Sequence, residues 1–76
     1  MVFFICYFRK GVKASDNAKA VKVIADSVGE AVAMLFSMRS DILHDTEGEE
    51  QKHIHLCDSD GLIIRTADLI NGFVTQ

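Results

Sequence analysis

The chain contains no proline, no internal repeat and no low-complexity stretch, so nothing in it has the composition of a linker between domains. No G-x-G-x-x-G pattern occurs, and Gly11-Val12-Lys13-Ala14-Ser15 lacks the glycine spacing of a P-loop, which leaves nucleotide binding without sequence support. Cysteine is scarce: Cys6 and Cys57 lie far apart and fit neither C-x-x-C nor a zinc-ribbon spacing. They read as free thiols in a reducing compartment rather than as a disulfide framework. Long hydrophobic runs are also missing. The apolar opening, Met1 to Phe8, is too short to span a bilayer and has neither preceding basic residues nor a small-residue cleavage site. The expectation is a soluble, cytoplasmic protein. Cations are the minority charge, 8 Lys and Arg against 11 Asp and Glu for a net −3, which argues against generic attraction to nucleic acid or anionic membranes.

What is present is apolar residue, 49% of a 76-residue chain. One domain, 1–76, is implied, at a size that buries only roughly 60% of the surface exposed on unfolding. A deep catalytic cleft is hard to build at that scale, and the apolar excess points to an oligomer or a partner.

The best-determined stretch runs from Val21 to Ile42. Val21-Lys22-Val23-Ile24-Ala25 reads as a strand whose Val21, Val23 and Ala25 face a helix, and Ser27-x-x-Glu30 has capping-box spacing. Beyond it, Val28, Ala31, Val32, Leu35, Met38 and Ile42 form one helical stripe, widened by Phe36 and Leu43. Upstream, Val2 to Phe8 is a strand with apolar residues on both faces: Phe4, Cys6 and Phe8 on one, Phe3, Ile5 and Tyr7 on the other. A single helix covers one face only. We assign Phe3, Ile5 and Tyr7 to the uncovered side, as a homodimer interface.

Ser15-Asp16-Asn17 is a turn signal, so the first two strands form a hairpin with a basic tip. Between Arg9 and Lys22 there are five cations, Arg9, Lys10, Lys13, Lys19 and Lys22, against Asp16 alone. From Asp41 to Asp60, by contrast, seven acids face one lysine. Downstream, His53-Ile54-His55-Leu56-Cys57 alternates, Asp58-Ser59-Asp60-Gly61 turns, and Leu62 to Arg65 returns as a strand. Thr66 is placed as the cap of a short helical turn over Ala67 to Ile70, stopped by Asn71-Gly72. Phe73 and Val74 then tuck against the sheet. The fold class is α+β: a small, mostly antiparallel ββαββ sheet with one main helix on one face and a short C-terminal helical turn.

His53-x-His55-x-Cys57 sits on one strand face, and two histidines at i and i+2 can share a metal. A complete site needs a further ligand from Cys6, His44, Asp45 or Glu47. A solvated strand face is the simpler account, and no cofactor is assigned. Cys57 with a neighbouring histidine suggests a nucleophile and base, but side chains two apart on a strand point in parallel rather than at each other. No catalytic set is found. Asp58-x-Asp60-Gly61 fails as a calcium loop, because Leu56 falls where the first acidic ligand belongs and Ala67 where the bidentate glutamate belongs.

Two charged sets remain as partner-binding candidates: Asp45, Glu47, Glu49 and Glu50 toward a partner's basic surface, and Arg9, Lys10, Lys13 and Lys19 at the hairpin. The latter, beside Phe3, Phe4, Tyr7 and Phe8, also has the ingredients of a single-stranded nucleic-acid surface, cations for phosphates and aromatics for bases.

An aromatic first strand ending Tyr7-Phe8-Arg9, a basic turn, and Val21-x-Val23-x-Ala25-x-Ser27-x-x-Glu30-Ala31 leading into a helix resemble small accessory proteins of phages and mobile elements. The resemblance covers roughly the first half of the chain and includes no diagnostic motif. Anti-CRISPR inhibitors, which act by stoichiometric binding, are among such proteins. The resemblance implies a non-enzymatic, protein-binding inhibitor of a host nucleoprotein complex and carries over no functional residue.

Overall fold

A computed structural model describes residues 1–11 and 18–75. Five strands, β1 (Val2–Phe8), β2 (Ala18–Ile24), β3 (Ile54–Cys57), β4 (Ile63–Asp68) and β5 (Phe73–Thr75), form one sheet. Their order is β2-β1-β3-β4-β5, and every neighbouring pair is antiparallel. Two helices, α1 (Val28–Ser37) and α2 (Arg39–Asp45), and a short 3-10 helix over Gly48–Lys52 connect β2 to β3. The α+β class and the antiparallel sheet are as expected, and Lys13 lies outside the described residues.

The alternation of β1 decides the architecture. Phe3, Ile5 and Tyr7 are 4%, 0% and 3% exposed and share one core with Val23, Ala25, Ala31, Leu35, Ile42, Ile54, Leu56 and Leu69. The helices therefore cover the face we had assigned to a dimer, and that assignment is corrected. Val2, Phe4, Cys6 and Phe8 are the residues on the uncovered side. Two features favour this orientation. The β1–β2 register sets Phe3 opposite Val23 and Ile5 opposite Val21, joining the set that faces the helix. In addition, the Tyr7 hydroxyl finds a hydrogen-bond acceptor on α2, as a buried phenol requires.

The expected N-cap forms. Ser27 is extended (φ −150°) and its Oγ accepts from the Glu30 N–H at 3.1 Å. The return arm differs by one residue, since the Glu30 carboxylate accepts from the Asp26 N–H at 3.3 Å rather than from Ser27. The single helix expected through Ile42 is broken at Met38. Ser37 Oγ donates to the Met34 carbonyl at 2.6 Å, a local side-chain bond that competes with helical pairing. The Met38 N–H then closes a tighter turn onto Leu35 O at 3.1 Å. Ile42, on α2, is still fully buried, so the break redirects the chain without losing the apolar stripe.

The C-terminal helical turn is also corrected. Thr66 and Ala67 belong to β4, opposite His55 and Ile54, and Phe73 to Thr75 pair as an edge strand. The connection is an Asp68 turn: Oδ1 accepts from the Ile70 and Asn71 N–H groups at 2.9 Å each, and Gly72 takes φ +76°. These bonds, led by that from the Asn71 N–H, hold the Asp68 carboxyl below its ordinary value. Arg39 fastens this turn to α2, its Nε and a terminal nitrogen donating to Leu69 O at 3.1 and 3.0 Å. Arg39→Met keeps the side chain's length but removes both donors. It should cost about 1 kcal/mol and raise hydrogen-exchange rates across Leu69 to Gly72 while those of β1 stay unchanged.

A candidate interaction surface

Antiparallel pairing carries the even-numbered side of β1 across the uncovered face. Phe4 lies opposite Lys22 on β2 and Cys57 on β3, and Cys6 lies opposite Ala20 and His55. His55 faces Thr66, Cys57 faces Ile63, and Thr66 faces Thr75. No described helix covers this side. Phe8, Ile24, Ile63 and Phe73 remain 48%, 68%, 57% and 53% exposed on it, an apolar display of the kind that marks an interaction surface.

At the β2–β1–β3 side the face sinks into a hollow of about 470 Å³, walled by Ala18, Ala20, Cys6, His55, Cys57 and Ile63. The short side chains of Ala18 and Ala20 leave this space. Cys57, although on the uncovered side, is 4% exposed because its neighbours crowd it. Burial, and then a hydrogen bond with Cys6, push its thiol up to about 11, so it is a neutral thiol at neutral pH and a poor nucleophile. His55 Nδ1 lies 3.2 Å from Thr66 Oγ1. Burial, reinforced by the neighbouring charge of His53, lowers its pKa, which favours the neutral imidazole in the face.

The structure does not bring the proposed metal ligands together. His53 is exposed before β3 begins, with Nε2 3.7 Å from Glu49, whereas His55 and Cys57 are engaged within the hollow. Among the described residues no group of three or more His, Cys, Asp or Glu is placed to hold a metal ion.

The charged candidates separate into those already engaged and those displayed. Asp45 Oδ2 accepts from the Tyr7 hydroxyl and from Lys19 Nζ, both at 3.1 Å, and Lys19 also stands 5.9 Å from the centre of the Tyr7 ring. The bond to Lys19 is the main cause holding the Asp45 carboxyl below its ordinary value, and the bond to Asp45 raises the Lys19 ammonium. Tyr7 is raised first by burial and then by Asp45. The Lys10 N–H donates to Asp45 O at 2.8 Å. Asp45 and Lys19 thus clamp the first hairpin to α2 and spend their charge on each other. Glu49 is shared between Lys52, at 3.5 Å, and His53. Glu47 and Lys10 are exposed, and Glu50 and Arg9 are half-buried.

For nucleic acid, the arrangement divides the required parts. Phe3 and Tyr7 are in the core, leaving Phe4 and Phe8 on the open side with Lys22 as the β2 lysine that shares it.

Gln51 was invisible as a structural residue in the sequence. Its side-chain amide donates to Leu43 O and Thr46 O at 3.2 and 2.9 Å, and its backbone carbonyl accepts from the Leu69 N–H at 2.9 Å. A glutamine in an acid-rich stretch carries no periodic signal for such a role. The role of Ala18 and Ala20 was missed too, although alternation places both on one face. No described helix is long and apolar enough to cross a membrane. Comparison with known proteins returns no match, whether to a family model, to a curated protein or to a solved structure.

Proposed function

We propose that this chain is a non-enzymatic protein-binding module, working in the cytoplasm by stoichiometric occupation of a surface, with the uncovered sheet face as its contact. The observation that carries the reading is a five-stranded sheet with helices on one side and Phe8, Ile24, Ile63 and Phe73 exposed on the other. A half-covered sheet of this composition costs solvation free energy until something packs on it. The neutral Cys57 thiol and the Thr66-bound His55 support a binding role over a catalytic one.

The specific version is an anti-CRISPR-like inhibitor of a host nucleoprotein defence complex. It is supported by the resemblance of the first half of the chain and by the displayed acid Glu47, which suits a basic target surface. Ile63→Asp introduces a charge at an exposed position of the contact face. It should leave the fold intact and lower capture of a protein partner from the native host by about tenfold or more, measured by affinity isolation and mass spectrometry. Equal capture by wild type and variant contradicts the reading. Charge reversal at Glu47, Glu49 and Glu50 reads the acidic segment separately.

The nucleic-acid alternative predicts a mobility shift with a single-stranded oligonucleotide at low salt, where phosphate contacts contribute most. The protein-binding reading expects none, and a shift that weakens with salt would revive the alternative.

A further inference from the structure

We propose that Cys6 and Cys57 form a two-sulfur site for one soft monovalent metal ion, copper(I), in the hollow of the uncovered face.

The chain's two cysteines are far apart in sequence, and the sheet brings them together. Cys57 lies opposite Phe4 and Cys6 opposite His55, so the cysteines are diagonal neighbours on adjacent strands and share a face. Both are free thiols and both line the hollow. Cys57 is buried and Cys6 half-buried, and the hydrogen bond between them puts the sulfurs in contact.

The diagonal offset decides what can join them. Such positions on an antiparallel pair are roughly 7–8 Å apart at Cα, beyond the roughly 4.4–6.8 Å that a disulfide usually spans. An ion between the sulfurs adds two metal–sulfur bonds of about 2.3 Å each, the zinc–thiolate length, and fits the longer reach. A direct S–S bond would have to draw the strands together, whereas an inserted ion does not.

Ligand number selects the ion. Zinc takes four ligands in a structural site and three protein ligands in a catalytic one, iron–sulfur clusters take four, and magnesium and calcium take oxygen. Among the described residues, no group of three or more His, Cys, Asp or Glu is placed to hold a metal ion, and His55 already has its Nδ1 3.2 Å from Thr66 Oγ1. Copper(I) is a soft, filled-shell ion that thiolates select, and two of them in a line satisfy it. The surrounding wall of Phe8, Ala18, Ala20 and Ile63 offers no side-chain oxygen to a harder ion.

Charge balances as the site loads. Two S–H bonds break, two S–Cu bonds form, both protons go to solvent and copper stays monovalent, so no oxidant or reductant is consumed. Burial disfavours a bare thiolate at Cys57. The ion's positive charge takes the place of the protons and leaves one net negative charge spread over both sulfurs.

The test titrates reduced protein, purified without a histidine tag, with copper(I) under anaerobic conditions in competition with the chelator bicinchoninate. Wild type should hold one ion per chain, and X-ray absorption should show two sulfur neighbours at the copper. Cys6→Ser and Cys57→Ala should each weaken binding about a hundredfold or more, whereas His55→Gln should change it by less than about threefold. Circular dichroism checks each fold. If Cys57→Ala does not fold, Cys6→Ser, at the half-buried position, and the sulfur count of the wild type decide the matter. No stoichiometric copper, binding indifferent to Cys6→Ser, or a nitrogen neighbour that disappears in His55→Gln overturns the proposal. So does a Cys6–Cys57 disulfide formed in air by a chain that binds no copper(I) when reduced.

Discussion

Replacing Leu56 with alanine should destabilise the protein by about 2–5 kcal/mol, a large share of the roughly 5–15 kcal/mol that holds an ordinary domain folded. Leu56 is fully buried on the middle strand, opposite Ile5 on one side and Arg65 on the other. Its removal opens a cavity beneath the helices at the point where β1 and β3 join. Ile63→Ala provides the contrast. Ile63 is equally apolar but 57% exposed on the opposite face, and its replacement should change stability by no more than about 0.5 kcal/mol. Urea unfolding of the two variants gives both numbers, read at concentrations where the wild type is monomeric. Similar losses at the two sites would mean that the sheet is covered on both sides within one chain.

The second large effect belongs to Asp45. Its carboxylate serves the Tyr7 hydroxyl and the Lys19 ammonium together, so Asp45→Ala leaves a largely buried phenol without its acceptor, at a cost of about 1–3 kcal/mol. The exposed Lys19 contact adds little in water. The pH dependence follows from the direction of each shift. The folded-state value of Asp45 is depressed, so its contribution is complete above the ordinary carboxylate value near 3.8 and is lost as pH falls through the lower, folded-state value. Tyr7 is raised, so its contribution is complete below about 10 and is lost as pH climbs through the higher, folded-state value. Wild type minus Asp45→Ala should therefore give a stability difference that is flat between about pH 5 and pH 9 and shrinks at both extremes. A difference that grows on acidification would show that Asp45 is not the stabilising anion.

The two halves of the structure were not equally legible in the sequence. The capping serine, the inward alternation of Val23 and Ala25, and the inward Ile54 and Leu56 follow local rules of period and spacing, and the chain obeys them. The orientation of β1 does not follow from any local rule, because both of its faces are apolar. It is fixed by cross-strand register with β2 and by the hydrogen bond from Tyr7 to Asp45, a pairing 38 residues apart in sequence. The break at Met38 depends on one hydroxyl rotor at Ser37, and β5 is three residues long, too short for alternation to register. The contact face was hidden for the same reason as the orientation of β1. With Phe3, Ile5 and Tyr7 taken as the open side, the hollow of Ala18 and Ala20 had no neighbours to form it.

The correction also reassigns the charged residues. Asp45 and Lys19 are structural, Glu49 is paired with Lys52 and His53, and Glu47 stays on display.

The central claim is that the uncovered sheet face, and not the helices, is the contact surface. Backbone amide NMR spectra recorded with and without the partner captured from the native host test it most directly. The account predicts partner-dependent shifts at Cys6, Ala20, His55, Ile63 and Thr66, with those of Ala33 and Ser37 unmoved. Shifts confined to the helices or to the Glu47 to Glu50 segment would contradict it.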